Sequence, residues 1–197
     1  MVVWRAPHRR PERVGDRGDR VPLPTGRGPT VADLTENGRL LGNSSADTGV
    51  YLWDRARGAR LLGCWDGMSC DALDLNERGT VVGGWQAPML DIETAYVWTP
   101  RGGLRVLTTD EETFAYDARA VAVDDAGRVV GNAQSWLPEV DGAFWWTARA
   151  GLQHLPDLGA GRAEVVALGR HGRAVGVAPA PDGSVHLVMW VLGPRCR

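Results

Sequence analysis

Short apolar runs with rough two-residue alternation recur from Val31 to Val191, each separated by a few turn-forming residues. The first member of each group ends in a tight polar turn, "ENGR", "NERG", "DDAG" or "RHG", rich in residues that accept positive φ. The next strand ends in a "VVG"-type glycine, after which comes a loop of variable length and a strand carrying tryptophan. Gly42, Gly83, Gly131 and Gly176 lie 41, 48 and 45 residues apart, and Trp53, Trp98, Trp146 and Trp190 follow at 45, 48 and 44. The grammar of each unit is strand, tight turn, strand, variable loop, strand, tight turn, strand. Four antiparallel strands in a repeat of about 40–50 residues predict an all-β chain folded as a β-propeller of about four four-stranded blades.

The repeated tryptophans are placed to fill the space between adjacent blades, and Trp145 should face the side opposite Trp146 by alternation. The quoted segments "AVAVDDAGRVVG", "AYVWTPRGGLRVL" and "GAFWWTARAGLQHLPDLG" resemble HAF repeats, a bacterial repeat family. Its consensus runs A-x-x-I-N-x-x-G-x-V-V-G and then A-F-x-W-T-x-x-x-G-L-x-x-L. The likeness spans residues 30 to 192 and rests on the two glycines and the tryptophan. It implies a propeller-like extracellular protein with no assigned activity. The chain departs from that pattern at Gly169-Arg170-His171-Gly172, which lacks the usual asparagine, and in having no signal peptide ahead of the repeats.

Two segments follow from this reading: residues 1–29, half-blade-like strands with a flexible linker, and residues 30–197, the repeat domain. "GDRGDRVPLPTGRGP", rich in Gly, Pro and Arg, reads as linker. The last unit stops after its third strand. Either Glu12-Arg13-Val14 supplies its missing outer strand, leaving Val2-Val3-Trp4 surplus, or the chain is part of a longer secreted propeller. An unclosed ring would expose strand edges and favour homo-oligomers.

Composition narrows the function classes. The chain contains no lysine, so all 22 basic residues are arginine, which excludes Schiff-base and P-loop chemistry. A net charge of −2 gives no electrostatic case for nucleic acid. No apolar run reaches the roughly 20 residues of a membrane helix, nor the h-region of about 7–15 residues of a secretory signal. A cytoplasmic protein is therefore expected if Met1 is the true start, and a secreted one if it is not. In an oxidising compartment Cys64 and Cys70 can close a small loop and leave Cys196 odd; in a reducing one, which the lack of a signal sequence favours, all three are expected as unpaired thiols.

Propeller topology sends the long loops to one end of the blades and the tight turns to the other. The loop end collects most of the acids, with Arg119 and Arg162 as its only obvious bases. The turn end collects most of the arginines. Tryptophan beside carboxylate suits a sugar ring or an organic cation, and a carboxylate cluster suits Ca²⁺. The candidate ligand site is thus Trp65, Asp66, Trp85, Asp91, Glu93, Asp110, Glu111, Glu112, Trp136, Glu139 and Asp141. No cofactor is required, with Ca²⁺ as the one metal the loops suggest. The expected partners are a small molecule, a carbohydrate or another protein. No catalytic constellation is evident: His154 and His186 lie on strands, His171 lies on a turn, and none has a neighbouring nucleophile. The reading is a binding or interaction scaffold. The alternatives are a lyase, hydrolase or cyclase using loop-end carboxylates, or a fragment of a longer propeller.

Overall fold

The computed structural model describes residues 2–3, 12–13, 30–44, 49–64, 69–86, 92–107, 115–135 and 141–193. Apart from the short pair β1 (Val2–Val3) and β2 (Glu12–Arg13), the strands form four antiparallel sheets in chain order. Blade 1 holds β3 (Thr30–Leu34), β4 (Leu40–Ser44), β5 (Gly49–Asp54) and β6 (Gly58–Leu61). Blade 2 holds β7 (Ser69–Leu75), β8 (Val81–Gln86), β9 (Glu93–Thr99) and β10 (Gly103–Val106). Blade 3 holds β11 (Ala115–Val123), β12 (Val129–Ser135), β13 (Gly142–Thr147) and β14 (Gly151–His154). Blade 4 has three strands among the described residues, β15 (Glu164–Gly169), β16 (Arg173–Pro179) and β17 (Val185–Val191). The fold is a β-propeller with blades meandering outward from the first strand of each.

The repeated glycine has a steric cause. In every blade the pairing of the first two strands slips by one residue, between Val31 and Asp33, Ala72 and Asp74, Ala120 and Ala122, and Val165 and Ala167. Such a bulge bends the first strand and raises its twist. It also brings a carbonyl close to the second strand. A Cβ at Gly83, Gly131 or Gly176 would overlap the carbonyl oxygen of Asp71, Arg119 or Glu164, and at Gly42 it would lie 3.1 Å from that of Thr30. None of the four glycines has a positive φ. They are there for close approach, whereas Gly38, Gly79 and Gly127 close the polar turns at φ 81, 83 and 79.

Successive blades pack through the repeated tryptophans. Trp98 of blade 2 lies with Leu41, Val50 and Leu52 of blade 1, and Trp146 of blade 3 lies with Val82, Ala95 and Val97 of blade 2. Trp190 packs against the blade 3 and blade 4 core, and Trp145 faces that same core while Trp146 faces blade 2. The alternation read from "FWW" is therefore present. Arg60 stacks 4.9 Å from the Trp98 ring and Arg105 5.3 Å from that of Trp146, so the outer strands of blades 1 and 2 each clasp the tryptophan of the next blade.

Hydrogen bonds reinforce these interfaces. Asn43 and Asn132, each one residue beyond the repeated glycine, take both backbone groups of Ala72 and Val165 respectively, at 2.8–3.0 Å. Asp33 accepts from the Leu75 N–H and Asp74 from that of Val123. Each bond crosses from one blade to the innermost strand of the next.

Two expectations are corrected. Glu12 and Arg13 do not extend blade 4; they pair with Val3 and Val2. A strand a few residues away is reached with far less loop-closure entropy than one at the other end of the chain. The cysteines are also not free thiols: Cys64 and Cys70 form a disulfide across the connection from blade 1 to blade 2. Just after β6 the Leu62 N–H bonds the Val50 carbonyl and holds the chain against the core, as Leu107 and Leu155 do with Ala95 and Ala143 in the next two blades.

Candidate functional site

The loop end is built from the starts of the first and third strands and the ends of the second strands. Here β7 supplies Asp71, β9 supplies Glu93, and β11 supplies Asp117 and Arg119. The Arg119 guanidinium is the hub. Its Nε lies 2.7 Å from Glu93 Oε1 and its Nη2 lies 3.6 Å from Asp71 Oδ2. Asp117 accepts the backbone N–H of Glu93 at 2.9 Å and holds the start of β9 toward blade 3. Gly84 leaves room for the Glu93 carboxylate at this place; a Cβ there would overlap it and push it off the hub.

Two cavities meet at this hub. One, of about 350 Å³, is bounded by Ser44, Ser69, Cys70, Asp71, Gln86 and the shared residues Glu93, Asp117 and Arg119. The other, of about 200 Å³, runs toward blade 4 past Asn132, Gln134, Arg162 and Glu164. Arg119 retains 42% side-chain exposure and Asp71 61%, so both present atoms to the cavity as well as to each other. Ser44 differs: it is 5% exposed, and its hydroxyl has no hydrogen-bond partner among the described residues. A buried hydroxyl left in that state costs about 1–3 kcal/mol unless something fills its valence.

Of the candidate residues read from sequence, Glu93 sits at the hub. Asp141 sits at the rim, 3.3 Å from Arg162, whose own backbone is held at φ 45. Trp85 is half-buried against the blade 1 and blade 2 core, with Cys70 as its cross-strand neighbour. It lines neither cavity. Trp65, Asp66, Asp91, Asp110, Glu111, Glu112, Trp136 and Glu139 lie outside the described residues. Sequence reasoning missed Arg119, Ser44 and Gln86 as site residues. Arg119 carried a usable signal, since an isolated base among acids is a natural centre for them.

Among the described residues no three His, Cys, Asp or Glu side chains group to hold a metal ion. At the hub, arginine occupies the place between the carboxylates. His186 does have a nucleophile nearby, contrary to the sequence expectation. Its Nε2 lies 2.7 Å from Ser184 Oγ, which also bonds Asp182 at 2.5 Å. The Ser184 hydroxyl and N–H hold the Asp182 carboxyl below its usual range. This trio lies in an exposed turn, away from both cavities.

The opposite end is occupied differently. Glu77 accepts the N–H groups of Glu36 and Asn37, and its own N–H bonds Asp125, so three successive turns are linked. Asn76 is buried and bonds the Asp124 carbonyl, and Arg39 bonds the Glu77 carbonyl. Arg128 joins Asp124 and the Leu192 carbonyl.

No protein-family model matches the chain, and no curated protein matches it. Among solved structures it is similar to virginiamycin B lyase from Staphylococcus aureus, a β-propeller, with TM-score 0.51 and 8% identity. The match covers 94% of this chain and 64% of that one, so the chain spans less than two thirds of the lyase's length. At this identity the likeness is one of fold.

Proposed function

We propose that the protein is a non-catalytic binding module that takes a small hydroxyl-rich ligand, a simple sugar, in the larger loop-end cavity. The observation that carries this reading is the Ser44 hydroxyl, buried beside the Asp71–Arg119–Glu93 hub and without a hydrogen-bond partner among the described residues. Carboxylates accept hydrogen bonds, guanidinium donates them, and serine and glutamine do both. Vicinal hydroxyls need that mixture within a few ångströms. A cavity of about 350 Å³ is in the range that encloses a small molecule. The Cys64–Cys70 disulfide suits an oxidising compartment. Together with the likeness to HAF repeats, it favours the secreted alternative over a cytoplasmic one.

The test is a calorimetric titration and a thermal-shift screen of the purified protein against simple sugars, Ca²⁺ and small organic cations. A sugar should raise the melting temperature, by about 2.7 kcal/mol of added stability at a hundredfold excess over Kd. Arg119→Met and Ser44→Val should abolish the shift while the circular dichroism stays unchanged. If only cations or Ca²⁺ move the melt, the ligand class is wrong. If the ligand is consumed and Glu93→Gln stops its turnover, the site is catalytic and the scaffold reading fails.

A further inference from the structure

The outer strand of the last blade carries an apolar stripe at positions that blade 1 buries. Strand alternation puts Val185, Leu187, Met189 and Val191 of β17 on one face, with Val175 of β16 beside Met189. The opposite face supplies Ala174, Val188 and Trp190 to the core shared with blade 3, so the stripe points away from that blade. Its five residues are 43–91% exposed, Leu187 most of all. By their spacing from the repeated glycine and tryptophan, Val175, Leu187 and Met189 correspond to Leu41, Val50 and Leu52 of blade 1. Those three are at most 2% exposed, because blade 2 covers them.

Two features restrict how a partner can approach. Blade 4 has no fourth strand among the described residues, so β17 is its outer edge there and the stripe is open from outside. At the inner edge, Arg170 Nη2 lies 2.8 Å from Glu36 Oε1, so the first turns of blades 4 and 1 touch. A partner approaching this face from outside therefore meets β17 first.

Area and composition point to the kind of partner. Five aliphatic side chains at these exposures present on the order of 500 Å² of apolar surface, near the top of what a monomer leaves bare. No charged side chain lies among them; Arg173, opposite Val191, marks one end. The stripe is also its own complement, since Val, Leu, Met and Val in a row oppose apolar to apolar when laid on a second copy. Across a twofold axis the two stripes together bury about 1,000 Å², the size at which a specific interface begins.

We infer that the protein self-associates through this stripe, with β17 of one copy packed face to face on β17 of a second about a twofold axis along the strands. Such an axis carries the inner strands of the two copies away from each other, so neither blade 1 obstructs the contact. The inference is independent of the sugar site.

Sedimentation velocity of the full chain over about 1–100 μM tests it, since an interface of this size should dissociate on dilution within that range. The mass should approach two chains at the top of the range and one chain at the bottom. Leu187→Asp should be monomeric throughout, with the circular dichroism and the dilute melting temperature of the wild-type protein. Leu187→Cys, with Cys196→Ser to remove the cysteine outside the disulfide, puts one thiol per copy beside the axis. Mild oxidation should link it into a covalent dimer and should leave Arg149→Cys, on the outer turn of blade 3, unlinked. A wild-type chain that stays monomeric at every concentration, a dimer that survives Leu187→Asp, or failure of Leu187→Cys to link would each overturn the inference. So would a fall of more than about 5 °C in the melting temperature of dilute Leu187→Asp, because a segment of the same chain would then cover the stripe.

Discussion

The two ends of the propeller use similar side chains in opposite ways. At the turn end, Asn76, Glu77, Arg39 and Arg128 bond the backbone of a neighbouring turn or blade. At the loop end, Asp71, Glu93 and Arg119 bond chiefly one another, around a cavity that also holds a serine hydroxyl with no partner among the described residues. The first arrangement converts polar groups into architecture. The second keeps them near one another and open to something else. Polar residues are therefore a guide to function here only after those that close the ring have been set aside.

Breaking the turn end should have the largest effect. Asn76→Ala leaves the Asp124 carbonyl and the Arg78 and Thr80 N–H groups without their partner in a buried turn. The expected cost is about 2–4 kcal/mol, read as a lower midpoint in urea with an unchanged slope. Recovery of the wild-type midpoint in this variant would mean that the turns contribute little to closure.

A smaller effect follows from Asp74, also near this end. Burial pushes its carboxyl up to about 6; the bond from the Val123 N–H opposes the rise, and the adjacent Asp33 carboxyl adds to it. The folded protein thus holds a proton that the unfolded chain, at about 4, releases. Stability from that proton is complete below about pH 4 and is lost as pH rises through about 6. Relative to Asp74→Asn, the wild-type protein should gain melting temperature as pH falls from 7 to 5. Parallel pH profiles for the two proteins would place the effect elsewhere.

The loop end should give the smallest change in stability. Arg119→Met breaks two partly exposed ion pairs and should shift stability by less than about 1 kcal/mol. A loss comparable to that of Asn76→Ala would abolish the distinction between the ends.

Much of the fold was legible because its steric requirements recur. The close approach at the bulge forces glycine at 42, 83, 131 and 176, and filling between blades calls for a large ring at 53, 98, 146 and 190. Four copies of each in register leave few other architectures. The pairing of Glu12 with Val3 was legible as a half-blade-like strand, turn and strand in "VVWRAPHRRPER", but the same residues also read as an outer strand for blade 4, since an isolated strand reads the same whichever partner it takes. The Cys64–Cys70 pairing was one of two readings the spacing allowed, and the choice between them turned on the compartment, which the residues do not encode. At the site, acidity at the loop end was readable as composition. The meeting of Glu93 with Arg119 was not, because it depends on two strands of different blades being brought side by side, with Asp117 holding the Glu93 N–H and Gly84 leaving room for the carboxylate.

The equivalence of the junctions between blades also bears on how such chains change over evolutionary time. Since blades 1, 2 and 3 each offer the next blade the same apolar positions and each receive its tryptophan, Trp98, Trp146 or Trp190, a segment of about 45 residues can be duplicated or deleted without redesigning any junction. Ring size then becomes a matter of gene copy number, and only the residues at the loop end must be reinvented for a new task.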